Sequence, residues 1–177
     1  VRDALVAGIT LNIFNKHCDR VKMANLAQMV NVLQSVILTE GPKMIKTPTY
    51  HVFHMYRHHQ GATLLNSTLT GVGETGIGEW KVPEVTESVS EDAEHIITVT
   101  LNNLSADEEK EIEIVIAGDE HIYSVKEAKV VSAEMHAHNT FDAPELVKEE
   151  VFTAYKNCAD GIKIMLPPCS VVELRLQ

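Results

Sequence analysis

Aromatic residues are scarce in this chain. Four Phe, four Tyr and one Trp make up 5% of 177 residues. Sugar-stacking surfaces are built from Trp and Tyr, so little material exists for an extended aromatic platform. Basic residues are also few, 15 Lys and Arg against 25 Asp and Glu, for a net charge of −10. Phosphate backbones need clustered Lys and Arg, so nucleic acid is excluded as a partner. Neutral saccharides are compatible with this charge without being implied by it. The three cysteines, Cys18, Cys158 and Cys169, form an odd set with no zinc-type spacing. Free thiols in a reducing compartment are the first expectation, and a Cys158–Cys169 bridge stays open. No apolar run approaches the ~18 residues of a membrane-spanning helix, so no membrane is expected as a partner. No charged and then apolar opening marks a signal peptide, which says little about export in a chain that opens at Val1. A cytoplasmic setting is expected. The clustered Gly71, Gly73, Gly76 and Gly78 follow no phosphate-loop order, and neither a nucleophile elbow nor an HExxH pair occurs. The chain opens at Val1 and enters a helical pattern at once, which predicts a piece of a longer protein.

Charge is unevenly spread. Residues 1–61 hold seven Lys/Arg and three Asp/Glu, whereas residues 62–177 hold eight and twenty-two. Such a step predicts a domain boundary near Gly61. Before it, Leu5, Ile9 and Ile13 recur at four-residue spacing and predict a helix over 3–16. Asp3 and Lys16 suit its two dipole ends, and Gly8 invites close packing. Residues 21–38 fit either a helix or a buried strand by periodicity. Residues 39–47, with Gly41-Pro42, read as a loop. Thr47 as N-cap and Pro48 at the first position predict a helix running to Gly61. Beyond Ala62, short runs rich in Val, Ile and Thr alternate with turn residues. Strands are expected over 95–105, 111–119, 121–137 and 170–177. In the last, Val172, Leu174 and Leu176 point one way while Glu173 and Arg175 point the other. Together they predict a β-sandwich. Residues 70–90 show little periodicity and read as a long exposed loop.

The chain is organised around residues 20–31, RVKMANLAQMVN, an apolar stretch interrupted by Asn25 and Gln28. An unpaired buried amide costs roughly 1–3 kcal/mol, so each needs a structural partner or a polar ligand. His51, His54 and His58 fall at i, i+3 and i+7 on one helical face, a spacing able to hold zinc or copper. No cysteine or carboxylate completes the set, so no metal is expected, and an exposed helix face is the preferred reading. Trp80 could stack on a sugar, though packing is the commoner role of a lone Trp.

Four segments carry a resemblance: DALVAGITLNIFNKHCDRVKMANLAQMVNVLQ (3–34), the stretch 48–60, AEMHAHNTFDAPELV (133–147) and LPPCSVVELRL (166–176). They resemble the C-terminal portion of α-L-arabinofuranosidases of glycoside hydrolase family 51. The resemblance implies a mainly β fold: a jelly-roll-like β-sandwich over 62–177, preceded over 1–61 by the last helix, strand and helix of a (β/α)8 barrel. It selects a barrel strand over 22–28, with Gln28 at the C-terminal end where such barrels carry active-site residues. It implies that the glutamine of the LAQ motif, Gln28, hydrogen-bonds arabinose. Asn25 and Asn31 are weaker candidates for such a contact, with a structural role the preferred reading. It also implies a retaining, exo-acting parent enzyme acting on arabinofuranosyl-containing oligosaccharides, with no cofactor.

Glycoside hydrolysis usually needs two carboxyl groups flanking the bond. Residues 1–61 hold only Asp3, Asp19 and Glu40, and none matches the family's catalytic glutamates, which lie upstream. The 177 residues alone are therefore expected to be inactive. Exposed apolar helix faces predict a homo-oligomer. The alternative is a non-catalytic carbohydrate-binding or structural sandwich module.

Overall fold

The computed structural model describes residues 1–118 and 121–177. A helix, α1 (Arg2–Lys16), opens the chain. A hairpin of β1 (Ile37–Glu40) and β2 (Lys43–Lys46) leads into α2 (Pro48–Tyr56) and a single 3-10 turn (Arg57–His59). Then come β3 (Thr63–Leu64), a second hairpin of β4 (Glu74–Ile77) and β5 (Trp80–Pro83), β6 (Val85–Glu91), β7 (Ile97–Asn103) and β8 (Lys110–Ile114). The chain closes with β9 (Val125–Ser132), β10 (Glu150–Val151), β11 (Tyr155–Cys158), β12 (Gly161–Leu166) and β13 (Ser170–Leu176).

Two antiparallel sheets make the sandwich. One has six strands in the order β10-β9-β13-β7-β6-β3, and the other three in the order β11-β12-β8. Between them lies an apolar core that includes Val99, Leu101, Ile112, Ile162, Ile164, Leu166, Val172, Leu174 and Leu176. The inward set Val172, Leu174 and Leu176 is as the alternation predicts. The opposite face of β13 is covered too. Helices α1 and α2 cover it, and Glu173 there is 1% exposed. A second core joins Ala4, Leu5, Leu11, Val52, Met55 and Tyr56 of the helices to Leu104, Val131, Val147, Cys169 and Val171.

Local chemistry explains both helices. In α1 the buried Ala4, Leu5, Gly8, Leu11 and Asn12 share one face, with Asp3 in the first turn and Lys16 in the last. Gly8 lies against β7: a Cβ there would come within 2.3 Å of Asn102 Oδ1. α2 starts as expected, with Thr47 as N-cap and Pro48 at its beginning. The helical turn ends at His59, and Gly61 leaves it at φ 72°.

Three expectations need correction. The barrel strand over 22–28 is not formed: the segment is irregular, Gln28 has φ 51°, and Met23 is 75% exposed. A parallel strand is held by neighbours on its edges, and none of the described residues pairs with 22–28. Only Val30 makes a bridge, a parallel one to Ile37. The 39–47 loop is largely hairpin, with Gly41 at φ 55° in its turn. The 70–90 loop contains β4, β5 and most of β6, of which Val85 and Ser88 are buried. Thr86, Ser88 and Ser90 make β6 look like loop because they face a buried polar layer. Other strands are shorter than predicted: β7 falls within 95–105, β9 within 121–137, and β8 runs over 110–114 against the expected 111–119. Asp119, the end of that last expectation, lies outside the described residues.

Candidate functional site

Gln28 lies in the connection between α1 and β1. Its side chain is exposed, where an amide can both donate to and accept from hydroxyls. One and three residues beyond it the chain is tied down. Ile37 N donates to Met29 O at 3.2 Å, and Asn31 N donates to Ile37 O at 3.1 Å. Asn31 Oδ1 accepts from Thr39 N and its Nδ2 donates to Thr39 Oγ1, both at 2.7 Å. Asn25 is exposed and lines a cleft of ≈190 Å³ with Val6, Thr10, Phe14, Gln34 and Phe53. Neither Asn25 nor Gln28 is therefore a buried amide, whereas Asn31 is structural as expected. A wider hollow runs from Leu11 and Phe14 past Met23 to Phe53 and Gln60.

The carboxylates of residues 1–61 do not gather around Gln28. Asp3 sits in the first turn of α1 beside Arg2 at 3.5 Å, and Asp19 and Glu40 are exposed. Trp80 is 81% exposed opposite Ile77 on the β4–β5 hairpin, so its indole does not pack into this fold. All three cysteines are free, and no Cys158–Cys169 bridge forms.

The histidines of α2 turn to different partners. His51 is buried, its Nδ1 unbonded and its pKa lowered by burial. His54 Nδ1 lies 2.9 Å from Glu149 Oε1. His58 Nδ1 lies 2.5 Å from Glu173 Oε1. His59 bridges Ser90 Oγ at 2.7 Å and Thr100 Oγ1 at 3.1 Å. The face that periodicity assigned to solvent therefore meets the sheet and the 149 region. Among the described residues, no three metal-ligating side chains converge.

Burial pushes Glu173 up to about 8. Burial first, then Arg175 and Arg57, holds His58 down at about 4. The two directions agree on a neutral pair at pH 7, in which protonated Glu173 donates to His58 Nδ1. His59 is likewise held at about 4 by burial. Beside them Asn12 Oδ1 lies 2.8 Å from the Tyr56 hydroxyl and 2.9 Å from those of Ser88 and Thr100. Burial raises the Tyr56 hydroxyl well above the usual phenol range. Asn102 Nδ2 donates to Thr86 Oγ1 at 3.1 Å. Asn12, Thr100, Asn102 and Glu173 escaped the sequence reading. Their only signal is the Thr-Thr-Asn alternation of β7 and the acidic residue between valine and leucine in β13.

The family model described as the alpha-L-arabinofuranosidase C-terminal domain matches residues 1–170. The intracellular exo-alpha-L-arabinofuranosidase of Bacteroides ovatus is 40% identical over 177 residues, all of this chain and 34% of that protein. The crystal structure of the GH51 arabinofuranosidase from Xanthomonas axonopodis pv. citri superposes with a TM-score of 0.91 at 36% identity, covering 98% of this chain and 35% of that one. An arabinose complex of alpha-L-arabinofuranosidase from Thermotoga maritima shares the fold, with a TM-score of 0.81 at 21% identity over 97% of this chain and 37% of that one. The chain thus spans about a third of the length of these relatives.

Proposed function

The chain belongs to the alpha-L-arabinofuranosidase C-terminal domain family, and from that premise we propose that it forms the C-terminal third of a retaining, exo-acting α-L-arabinofuranosidase. The whole enzyme removes terminal non-reducing α-L-arabinofuranosyl residues from arabinose-containing saccharides. The observation that carries this reading is the match over essentially all of this chain to about a third of each longer relative. Residues 1–61 supply the end of the catalytic barrel and residues 62–177 the accessory sandwich. Both catalytic carboxylates come from the part of the parent that precedes these residues, and the reaction needs no metal or organic cofactor.

Gln28 is the substrate contact within this chain. Its exposed amide on an irregular segment suits hydrogen bonding to sugar hydroxyls. The strand that would aim it forms when the rest of the barrel sheet is present to pair with 22–28, and Gln28 ends that strand with its left-handed backbone. An intracellular setting follows the name of the Bacteroides relative. Self-association is supported by the exposed Met23, Met29 and Leu33 beside α1.

The test compares the full gene product with the 177-residue chain on an aryl α-L-arabinofuranoside. The full product turns over and the chain does not. Glycosidase-level turnover by the chain alone, or none by the full product, overturns the reading. In the full product, Gln28→Ala lowers kcat/KM about three- to tenfold, the equivalent of one neutral hydrogen bond. A fall in melting temperature with unchanged kinetics would make Gln28 a structural amide instead.

A further inference from the structure

We infer that Asn31 is a positioning residue for Gln28, locking its backbone through a side-chain clasp on Thr39; this rests on the reading of Gln28 as the sugar contact.

The geometry starts from three residues in the left-handed region. Gln28, Asn31 and Gln34 have φ of 51°, 56° and 61°, at three-residue spacing. This region is unfavourable for an ordinary L-residue, and asparagine tolerates it best of those present. A chain passing through it three times in seven residues needs external bonds to stay there. Asn31 supplies two of them, with its carbonyl oxygen accepting from Thr39 N and its amide donating to Thr39 Oγ1. Backbone bonds from Ile37 to Met29 and from Asn31 to Ile37 flank Val30 and complete the clasp.

The anchor at the other end is rigid. Thr39 lies in β1, which pairs with β2 in the register Ile37↔Lys46 and Thr39↔Met44. β2 runs directly into α2 through Thr47. That residue spends its hydroxyl on Ser35 O at 2.9 Å, and its N–H on Val36 O at 3.0 Å, rather than on capping the helix. α2 itself is fixed by Val52 and Met55, both fully buried. A path of bonds thus links the packed helix to the hairpin, and the hairpin to Asn31 and to Met29, the residue that follows Gln28. A side chain that must meet a hydroxyl within a few tenths of an ångström depends on such support.

The test uses the full gene product and four variants. Asn31→Gly keeps the left-handed backbone but removes the clasp. Asn31→Asp keeps an acceptor for both Thr39 donors and tolerates the same backbone. Gln28→Ala and the double variant Q28A/N31G complete a cycle. The expected result is a three- to tenfold loss of kcat/KM in N31G, about the size of the Q28A loss. N31D stays within about threefold of the natural enzyme, and the double variant is no slower than Q28A alone. Unchanged kcat/KM in N31G overturns the inference. So do losses that multiply in the double variant, and a lowered melting temperature with normal kinetics. If Q28A itself has normal kinetics, the reading of Gln28 fails first and takes the clasp's role with it. A slow Q28A with a normal N31G rejects the clasp alone.

Discussion

The two faces of the six-stranded sheet are both buried, but by different chemistry. Toward the three-stranded sheet, β13 and β7 present Val172, Leu174 and Leu176 with Ile97, Val99 and Leu101. Toward α1 and α2 the same strands present Glu173 with Thr98, Thr100 and Asn102, all nearly inaccessible. The first face is held by removal of apolar surface from water, which is non-directional and tolerant of small shifts. The second combines an apolar patch around Val131 and Val171 with a hydrogen-bonded layer centred on Asn12, Tyr56, His58 and His59, in which Thr98 Oγ1, Asn102 Oδ1 and Glu173 Oε2 lack a partner. The difference teaches why the helical arm docks in one register on the sandwich. An apolar face would slide, while a hub such as Asn12, bonded to the hydroxyls of Tyr56, Thr86, Ser88 and Thr100, accepts one position.

The largest expected effect lies on the apolar face. Leu174→Ala leaves a cavity in the centre of β13 and lowers unfolding free energy by about 2–5 kcal/mol, read from the urea midpoint. A loss under 1 kcal/mol would mean that the sandwich core collapses freely and is not the stronger face.

On the polar face, Asn12→Ala strands hydroxyls of Tyr56, Ser88 and Thr100 and costs about 1–3 kcal/mol. Hydrogen exchange should show α1 opening while β7 and β13 stay protected. Asn12→Leu sharpens the contrast. A more stable protein with α1 still docked would show that the polar layer costs stability without setting the register.

The faces also differ in their response to pH. His58 and His59 sit at about 4 when folded against an ordinary value of 6.5, so the unfolded chain binds more protons between those values. Their contribution is lost as pH falls from 6.5 toward 4. Glu173, at about 8 against 4.5, binds its proton more tightly when folded, and its contribution is lost as pH rises from 4.5 through 8. Two histidines outweigh one glutamate below 6.5, and the glutamate acts alone above it. From these three groups, stability peaks near pH 6.5. Glu173→Gln should flatten the alkaline limb while keeping the acid one, measured as urea midpoints between pH 4.5 and 8.5. An unchanged alkaline limb would show that Glu173 is ionised in the fold.

The smallest effect is expected away from both faces. Trp80→Ser on the exposed hairpin should change stability by no more than ~0.5 kcal/mol. A larger loss would reveal a third packed face that the comparison leaves out.

Particular residues show how far local pattern reached. The existence of α1, the Thr47-Pro48 start of α2 and the inward set of β13 follow from periodicity and capping. These are properties of neighbours in sequence, and they place helices and strands correctly. The buried face of α1 does not follow from them: Leu5 is buried, whereas Ile13 is 50% exposed and Ala4, Gly8, Leu11 and Asn12 are buried instead. The family, and Gln28 as a candidate contact, were legible in long motifs such as ANLAQMVN. β6 was not legible, because its Thr86, Ser88 and Ser90 look like loop residues until partners on α1 and the 3-10 turn are known. The strand over 22–28 was legible only as a possibility. A buried strand takes its conformation from edges supplied by other strands, and no described residue supplies one. Tertiary structure alone decided that Glu173 is buried, that His58 accepts its hydrogen bond, and that Asn31 reaches Thr39. Each depends on groups between eight and 115 positions apart in sequence, beyond the reach of any local period. The alternation of β13 determined which side chains share a face, and only packing decided that both faces are dry.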